Sequence, residues 1–392
     1  MIIGNEAMPG GSAQSGDPLD IRGLAHDVTE SDQRIFDAVT TEVLPPEAIQ
    51  RIAEPEKVFP RQREVLALHW HPEFVPIDLI RRRVAKMFPN AEESLIIPTQ
   101  HNILTSYGEY TGVEVDCYSQ HFQRKVQLLF HFRSEKLEGR GDVFKAMLAH
   151  TFKYRNSQLA QFIHTLLHPD FSQHVGDAAQ RTGANDQLIE FVRTYVRRIK
   201  KLIEENESRV APEMIRNKLL VNFFDMLRAE YNDRLINHVQ AFLRAVKNIV
   251  KEHFALDYFY RHEECIEEGK ALGACIVIPH PEQFWPILLE DLNVDGIEVW
   301  NPQSNEYTEF LISVVNRQNR LAANRDRPLL ITMGDDCHMG EKVKDPRYRD
   351  AAKAERELGV QPLWDDMAIS KNLIMGNASR SDLIREYKSR LA

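Results

Sequence analysis

Apolar residues fall along this chain in two rhythms, and the change of rhythm divides it. Seven short aliphatic and β-branched runs predict strands: EVLALHW (64–70), SLIIPT (94–99), GVEVDCY (112–118), KVQLLFHF (125–132), GACIVIPH (273–280), DGIEVWN (295–301) and PLLITMGDD (328–336). Each is too brief for a helix. Most are continuously apolar, the pattern of strands covered on both faces in a parallel sheet or barrel. Helical patterns such as IDLIRRRVAKMF and TEFLISVVNRQNRLAANR stand between several of them, so alternating βα units are expected.

Between the fourth and fifth runs, from about Asp142 to Gly269, the period becomes 3.6 and strand signals vanish. In QLIEFVRTYVRRIKKLIEENE, Leu188, Phe191, Val192, Tyr195, Val196, Ile199 and Ile203 share one face, with arginines and lysines opposite. The segment 141–262 therefore predicts an all-α insertion between two parts of an α/β body, 26–140 and 263–345. A short helix is expected near Asp32–Val43 at the start of the first part. The first 25 residues, rich in Gly, Ser, Pro and Asp, predict a flexible leader, and 346–392 predicts a helical extension.

Composition narrows the function classes. A chain of 392 residues can bury a sizeable core without cross-links, and its net charge of -9 gives no global attraction to nucleic acid or anionic membranes. No apolar stretch is long enough to cross a membrane and the start lacks a signal-peptide pattern, so the cytoplasm is the expected compartment. Four cysteines without a CxxC pair argue against a thiolate zinc knuckle or a disulfide framework.

The 15 histidines change the picture by where they stand. The first run closes on His69 and His71, the second leads to His101, the third contains Glu114, the fourth ends at His131, the fifth at His280, and the seventh runs into Asp335, Asp336, Cys337 and His338. In a βα barrel these ends converge on one face. Imidazoles and carboxylates suit zinc, manganese or iron, and the HxH spacing sends both rings to the same side of a strand. The pair in HTLLH (164–168) has Thr165 where the zinc-protease helix needs Glu, and reads as ordinary helix. Cys337 reads as a small gap-filling residue rather than a nucleophile. The cluster Arg193, Arg197, Arg198, Lys200 and Lys201 reads as a solvated face in preference to an anion site. Trp285 and Trp300 fit a pocket wall and core packing equally.

The motifs LHWH (68–71), TQHN (99–102), TGVEV (111–115), FHF (130–132), IPHP (278–281), GIEVWN (296–301) and GDDCHMG (334–340) resemble the PHP (polymerase and histidinol phosphatase) superfamily of metal-dependent phosphoesterases. The resemblance covers residues 64–140 and 262–340. It implies a distorted seven-stranded (β/α)7 barrel holding about two to three divalent ions on His69, His71, His101, Glu114, His131, His280, Asp336 and His338, with Glu114 bridging. It further implies hydrolysis of a phosphate ester by a metal-bridging water, most concretely of a small phosphomonoester. A phosphodiesterase or exonuclease is the first alternative, and a non-catalytic metal-binding interaction module the second. Nucleic acid is the weaker candidate partner. After HxH the family's usual Ser-Asp-Gly segment is replaced, leaving Glu73, Asp78 or neither as a further ligand. Gln100 and Asp335 also depart from the family pattern, which bears on the residues behind the ligands. An amidohydrolase-type site is disfavoured because no lysine stands at a suitable strand end.

Overall fold

A computed structural model describes residues 27–321, 327–344, 349–366, 369 and 379–392. The leader expected over 1–25 lies outside the described residues, as does part of the expected C-terminal extension. The chain divides into two compact units, one of residues 1–39 with 161–252 and one of residues 40–160 with 253–392.

The second unit carries the strands: β1 (Glu64–Ala67), β2 (Trp70–His71), β3 (Glu93–Ile96), β4 (Thr105–Tyr107), β5 (Tyr110–Ser119), β6 (Arg124–Arg133), β7 (Cys275–Ile278), β8 (Gly296–Trp300), β9 (Leu330–Met333) and β10 (Cys337–His338). The helices in chain order are α1 (Glu30–Thr40), α2 (Pro46–Ala53), α3 (Ile77–Met87), α4 (Asp142–Leu167), α5 (Ser172–Thr182), α6 (Asp186–Asn206), α7 (Lys218–Met226), α8 (Asp233–Glu252), α9 (His262–Ala271), α10 (Thr308–Leu321), α11 (Met339–Val343), α12 (Ala351–Ala354) and α13 (Arg380–Leu391).

The expected seven-stranded barrel does not form. Hydrogen bonding sorts the strands into a six-stranded sheet, β4-β5-β6-β7-β8-β9, and two separate parallel pairs, β1-β3 and β2-β10, and no closed barrel exists among the described residues. The physical reason lies in the connections. Residues 120–123 alone join β5 to β6, whereas a parallel crossover needs about a dozen residues, so these strands pair antiparallel over their full length. The six-stranded sheet is consequently mixed: β4 to β7 run antiparallel, while β7, β8 and β9 are parallel. The first apolar run also breaks at Leu68–His69, and its two parts join different sheets.

Both faces of the large sheet are covered, which accounts for the continuous apolar runs. One face packs Val113, Val115, Leu128, Phe130, Ile276 and Val299 against α4, α9 and α10 through Phe144, Ile266 and Leu311. On the other, Leu129, Cys275 and Val277 meet Leu383, Ile384 and Tyr387 of α13. In β5 Val113, Val115 and Cys117 face one side, so strand periodicity turns Glu114 and Asp116 to the other, with Tyr110.

In the helical unit, α6 buries Leu188, Phe191, Val192, Tyr195, Val196, Ile199 and Leu202, with Ile203 only half-buried. Of the basic cluster, Arg198 is buried against Asp32 at 3.1 Å. Arg193 donates to the Leu166 carbonyl, and Arg197, Lys200 and Lys201 pair with Glu190, Glu204 and Asp27. Every member has a partner within its own unit. No described helix is long and apolar enough to cross a membrane.

Gly112 fixes how closely β5 approaches the segment after β3: a Cβ there would press into the Pro98 carbonyl and approach Ile97 Cγ2 to 2.9 Å. Gly112→Ala should therefore lower stability by about 1–3 kcal/mol, read from urea unfolding midpoints. A midpoint equal to that of the parent protein would show that the approach is not tight.

Candidate metal centre

The parallel pairing of β2 with β10 sets Trp70 opposite Cys337 and His71 opposite His338, and stacks the two imidazoles with centroids 4.3 Å apart. The Asp336 amide donates to the His69 carbonyl at 2.8 Å, fixing Asp336 beside the HxH turn. His101 forms a parallel bridge with Glu114, and the Asn102 amide donates to the Glu114 carbonyl at 2.7 Å. His280 follows the end of β7. Seven of the eight expected ligands are thus collected from residues that span the whole α/β unit.

Their donor atoms converge. Nε2 of His69, His71 and His338 lie 3.7, 3.5 and 3.3 Å from Asp336 Oδ1. His71 Nε2 lies 3.6 Å and His101 Nδ1 2.6 Å from Glu114 Oε2, and His280 Nε2 lies 3.6 Å from Glu114 Oε1. Three overlapping triads, His69–His71–Asp336, His69–Glu114–His280 and His71–His101–Glu114, each offer ligand atoms within 4.8 Å of one another. Glu114 belongs to two of them, the arrangement of a bridging carboxylate.

Unsatisfied atoms test whether these residues fit metal. Both Glu114 oxygens, His69 Nε2 and His101 Nδ1 are buried without a hydrogen-bond partner. His101 Nδ1 and Glu114 Oε2 come to 2.6 Å without forming a hydrogen bond. A buried carboxylate without donors is costly, and so many orphaned nitrogens and oxygens facing one another are the set a divalent cation would satisfy. Backbone strain marks the same place. Among the described residues five non-glycine positions have positive φ, and four are Glu73, Asn102, His280 and Asp336, at φ of 53°, 55°, 28° and 42°. Each such conformation costs about 1–3 kcal/mol, so the packing around the site holds it against local preference.

The charges are set by neighbours. Burial opposes ionisation of Glu114, but His101, His280 and His71 hold its pKa well below the usual carboxylate range. Asp336 is likewise disfavoured by burial and depressed by His338 and His71. Burial disfavours charge on His69 too, yet Glu298 outweighs it and raises the ring to about 10. His71 falls to about 3 through burial and the nearby rings of His338 and His101.

A layer of residues behind the ligands aims them. Glu298 Oε2 lies 2.7 Å from His69 Nδ1, while its Oε1 accepts from the His280 amide and from Asn301 Nδ2, each at 3.1 Å. One carboxylate thus orients His69 and ties down the His280 turn. Gln303 Nε2 and Arg356 Nη1 both donate to Asp336 Oδ2 at 2.6 Å, leaving Oδ1 toward the histidines. Asn102 donates to Asp116, whose carboxylate is also gripped by Lys125 and Arg155. Sequence reasoning passed over Glu298, although a carboxylate inside the apolar GIEVW run is a readable signal. Gln303 and Arg356 gave none, since both approach from segments outside the strands.

His131 does not join the cluster. Its Nε2 donates to the Leu68 carbonyl at 2.9 Å and its Nδ1 accepts from the Tyr387 hydroxyl at 2.6 Å, so both nitrogens are committed to the core. Burial keeps the ring neutral, with its pKa lowered to about 3. Of the two open candidates, Glu73 reaches to 3.5 Å from His338 Nδ1, whereas Asp78 is 90% exposed beside Arg81. Asp335 is buried and accepts from the Gly359 amide, and burial pushes its carboxyl up to about 8. Cys337 is a buried thiol pushed up to about 12 by burial, donating to the Arg356 carbonyl, which removes it as a nucleophile. Trp300 belongs to the core, at 7% exposure, while Trp285 is 37% exposed.

Two predictions follow from these contacts. Glu298→Gln should weaken zinc or manganese binding by about 10–100-fold in a competition titration, whereas His131→Asn should leave affinity unchanged in whatever fraction folds. The reverse order of effects would assign the ligands wrongly. In metal-free protein, His69 is raised from 6.5 to about 10 and Asp335 from 3.8 to about 8, so between pH 7 and 9 the folded chain holds protons that the unfolded chain releases. Stability then falls as pH rises. The urea midpoint of EDTA-treated protein should decline over that window, and a flat or rising profile would contradict the charge assignment. No protein-family model matches the chain and no curated protein matches it.

Proposed function

We propose that the chain is a metal-dependent hydrolase of a phosphate ester, most concretely a small phosphomonoester. The observation that carries the reading is the doubly orphaned, buried Glu114 carboxylate enclosed by imidazoles of His71, His101 and His280. The donor set suits zinc, manganese or iron, and His69, His71, His101, Glu114, His280, Asp336 and His338 would hold about two to three such ions. When bound, such ions supply an activated water and offset charge on the phosphoryl oxygens.

The chain's own residues provide the geometry. Glu298 engages His69 at Nδ1 and so leaves Nε2 to face the cluster, the usual way in which a carboxylate fixes the tautomer of a ligating histidine. Gln303 and Arg356 hold one oxygen of Asp336 and free the other. Of the ligands, His101, His338, Asp336 and His280 keep some exposure, at 24%, 11%, 8% and 7% of their side chains, so substrate meets the cluster on their side. The remaining ligands are sealed from bulk water.

Manganese- or zinc-loaded protein should release inorganic phosphate from members of a phosphomonoester panel, and EDTA should abolish the release. Asp336→Asn should lower kcat/KM by about 10²-fold or more, because several kcal/mol of charge stabilisation depend on the ligand. Cleavage of diesters alone would transfer the chain to the diesterase class. Hydrolysis of neither ester by metal-loaded protein would leave a metal-binding module without this chemistry.

A further inference from the structure

Trp285, Tyr307 and Phe310 are 37%, 37% and 55% exposed, and Trp285 touches the other two. The Trp285 ring stands edge-on to Tyr307 at 5.2 Å and to Phe310 at 5.5 Å. Exposed aromatic rings in mutual contact require an explanation that core packing does not give. Phe310 lies in the first turn of α10, whereas the exposed Leu321 lies in its last, about 16 Å further along the axis, and Leu289, 89% exposed, ends the turn that carries Trp285. An area of three side chains is far below the roughly 800 Å² per partner of a stable protein interface.

The two segments bearing these rings also bear the metal centre. Trp285 follows His280 by five residues, and Phe284 between them packs on the His280 ring at 5.7 Å. Tyr307 follows Gln303, the residue that holds Asp336, by four, and its amide donates to the Ser304 carbonyl at 3.1 Å. Both segments leave the C-terminal ends of the adjacent parallel strands β7 and β8, where ligands enter open α/β sheets. Glu282 lies in the same turn, Pro281–Leu289, between His280 and Trp285 in sequence, and its Oε2 is buried without a hydrogen-bond partner.

We propose that Trp285, Tyr307 and Phe310 form a leaving-group subsite that takes a planar unsaturated ring, with Glu282 accepting a hydrogen bond from a hydroxyl that links ring to phosphate. The inference rests on the phosphoesterase reading for the position of the phosphate. It narrows the substrate to a phosphomonoester whose hydroxylated linker separates phosphate from ring. Stacking on aromatic side chains tolerates many rings, so the subsite selects for a flat π face and not for one base.

The test compares adenosine 5′-monophosphate with ribose 5-phosphate on full-length, manganese-loaded protein, by tryptophan fluorescence titration and by phosphate release. These probes share phosphate and sugar and differ in the ring. The parent protein should bind the ring-bearing probe about 10-fold or more tightly. Trp285→Ala and Phe310→Ala, each checked for an unchanged melting temperature, should erase that preference and leave ribose 5-phosphate affinity as it was. Equal affinity for the two probes, no binding of either, or a preference that survives both substitutions would overturn the proposal. Ribose 5-phosphate hydrolysis without ring preference would remove the subsite and keep the hydrolase; ring-selective binding without phosphate release from either probe would keep the subsite and remove the hydrolase.

Discussion

A carboxylate withdrawn from water and given no hydrogen-bond donor is among the costlier groups a protein can bury, and Glu114 is held in that state, ionised, at the centre of the α/β unit. Imidazole nitrogens surround it without satisfying it. The other features of the site follow from this constraint: the convergence of His69, His71, His101 and His280, the second carboxylate at Asp336, and the positive φ angles that bring Asn102, His280 and Asp336 to bear. A cation would resolve the cost, because its charge would replace the missing donors. Without one, protons on His69 and His338 carry part of that load, raised by Glu298 and by Asp336 with Glu73 against the effect of burial.

The surrounding fold serves to make these positions rigid. Strand pairs of only two residues, β2 with β10, would be weak alone, but they are braced from behind by Arg356 on Asp336 and by Gly359 on Asp335. Glu298 joins three elements through a single carboxylate. Removing Gly334's lack of a side chain would collide with it, since a Cβ there falls within 2.9 Å of Glu298 Oε1 and closer still to Oε2. The ligands therefore sit on short strands and turns whose geometry is fixed by neighbours and not by local preference, as sites that demand accurate placement require.

Much of this was legible in the sequence, for reasons that can be stated residue by residue. The apolar runs marked the strands because both sheet faces are covered, and histidines closing those runs marked the site. Topology was not legible. The runs alone suggest βα repeats, but the four residues between β5 and β6 permit only a hairpin, and that hairpin makes the sheet mixed. His131 ends an apolar run as His280 does and shares a sheet face with Glu114, yet Tyr387 and the Leu68 carbonyl engage both of its ring nitrogens. A residue type at a strand end does not disclose which partners its side chain meets. Glu298 was legible and overlooked, whereas Arg356 and Gln303 reach the site from loops, whose course depends on tertiary packing that no periodicity encodes.

The central claim is that Glu114 is buried for the sake of cations. Elemental analysis of protein purified without added metal, compared with Glu114→Gln, tests it most directly. About two to three zinc, manganese or iron ions per chain in the parent, with a marked loss in the variant, is the result the account predicts. Fewer than about one ion per chain after careful loading, or an equal content in both proteins, would contradict it.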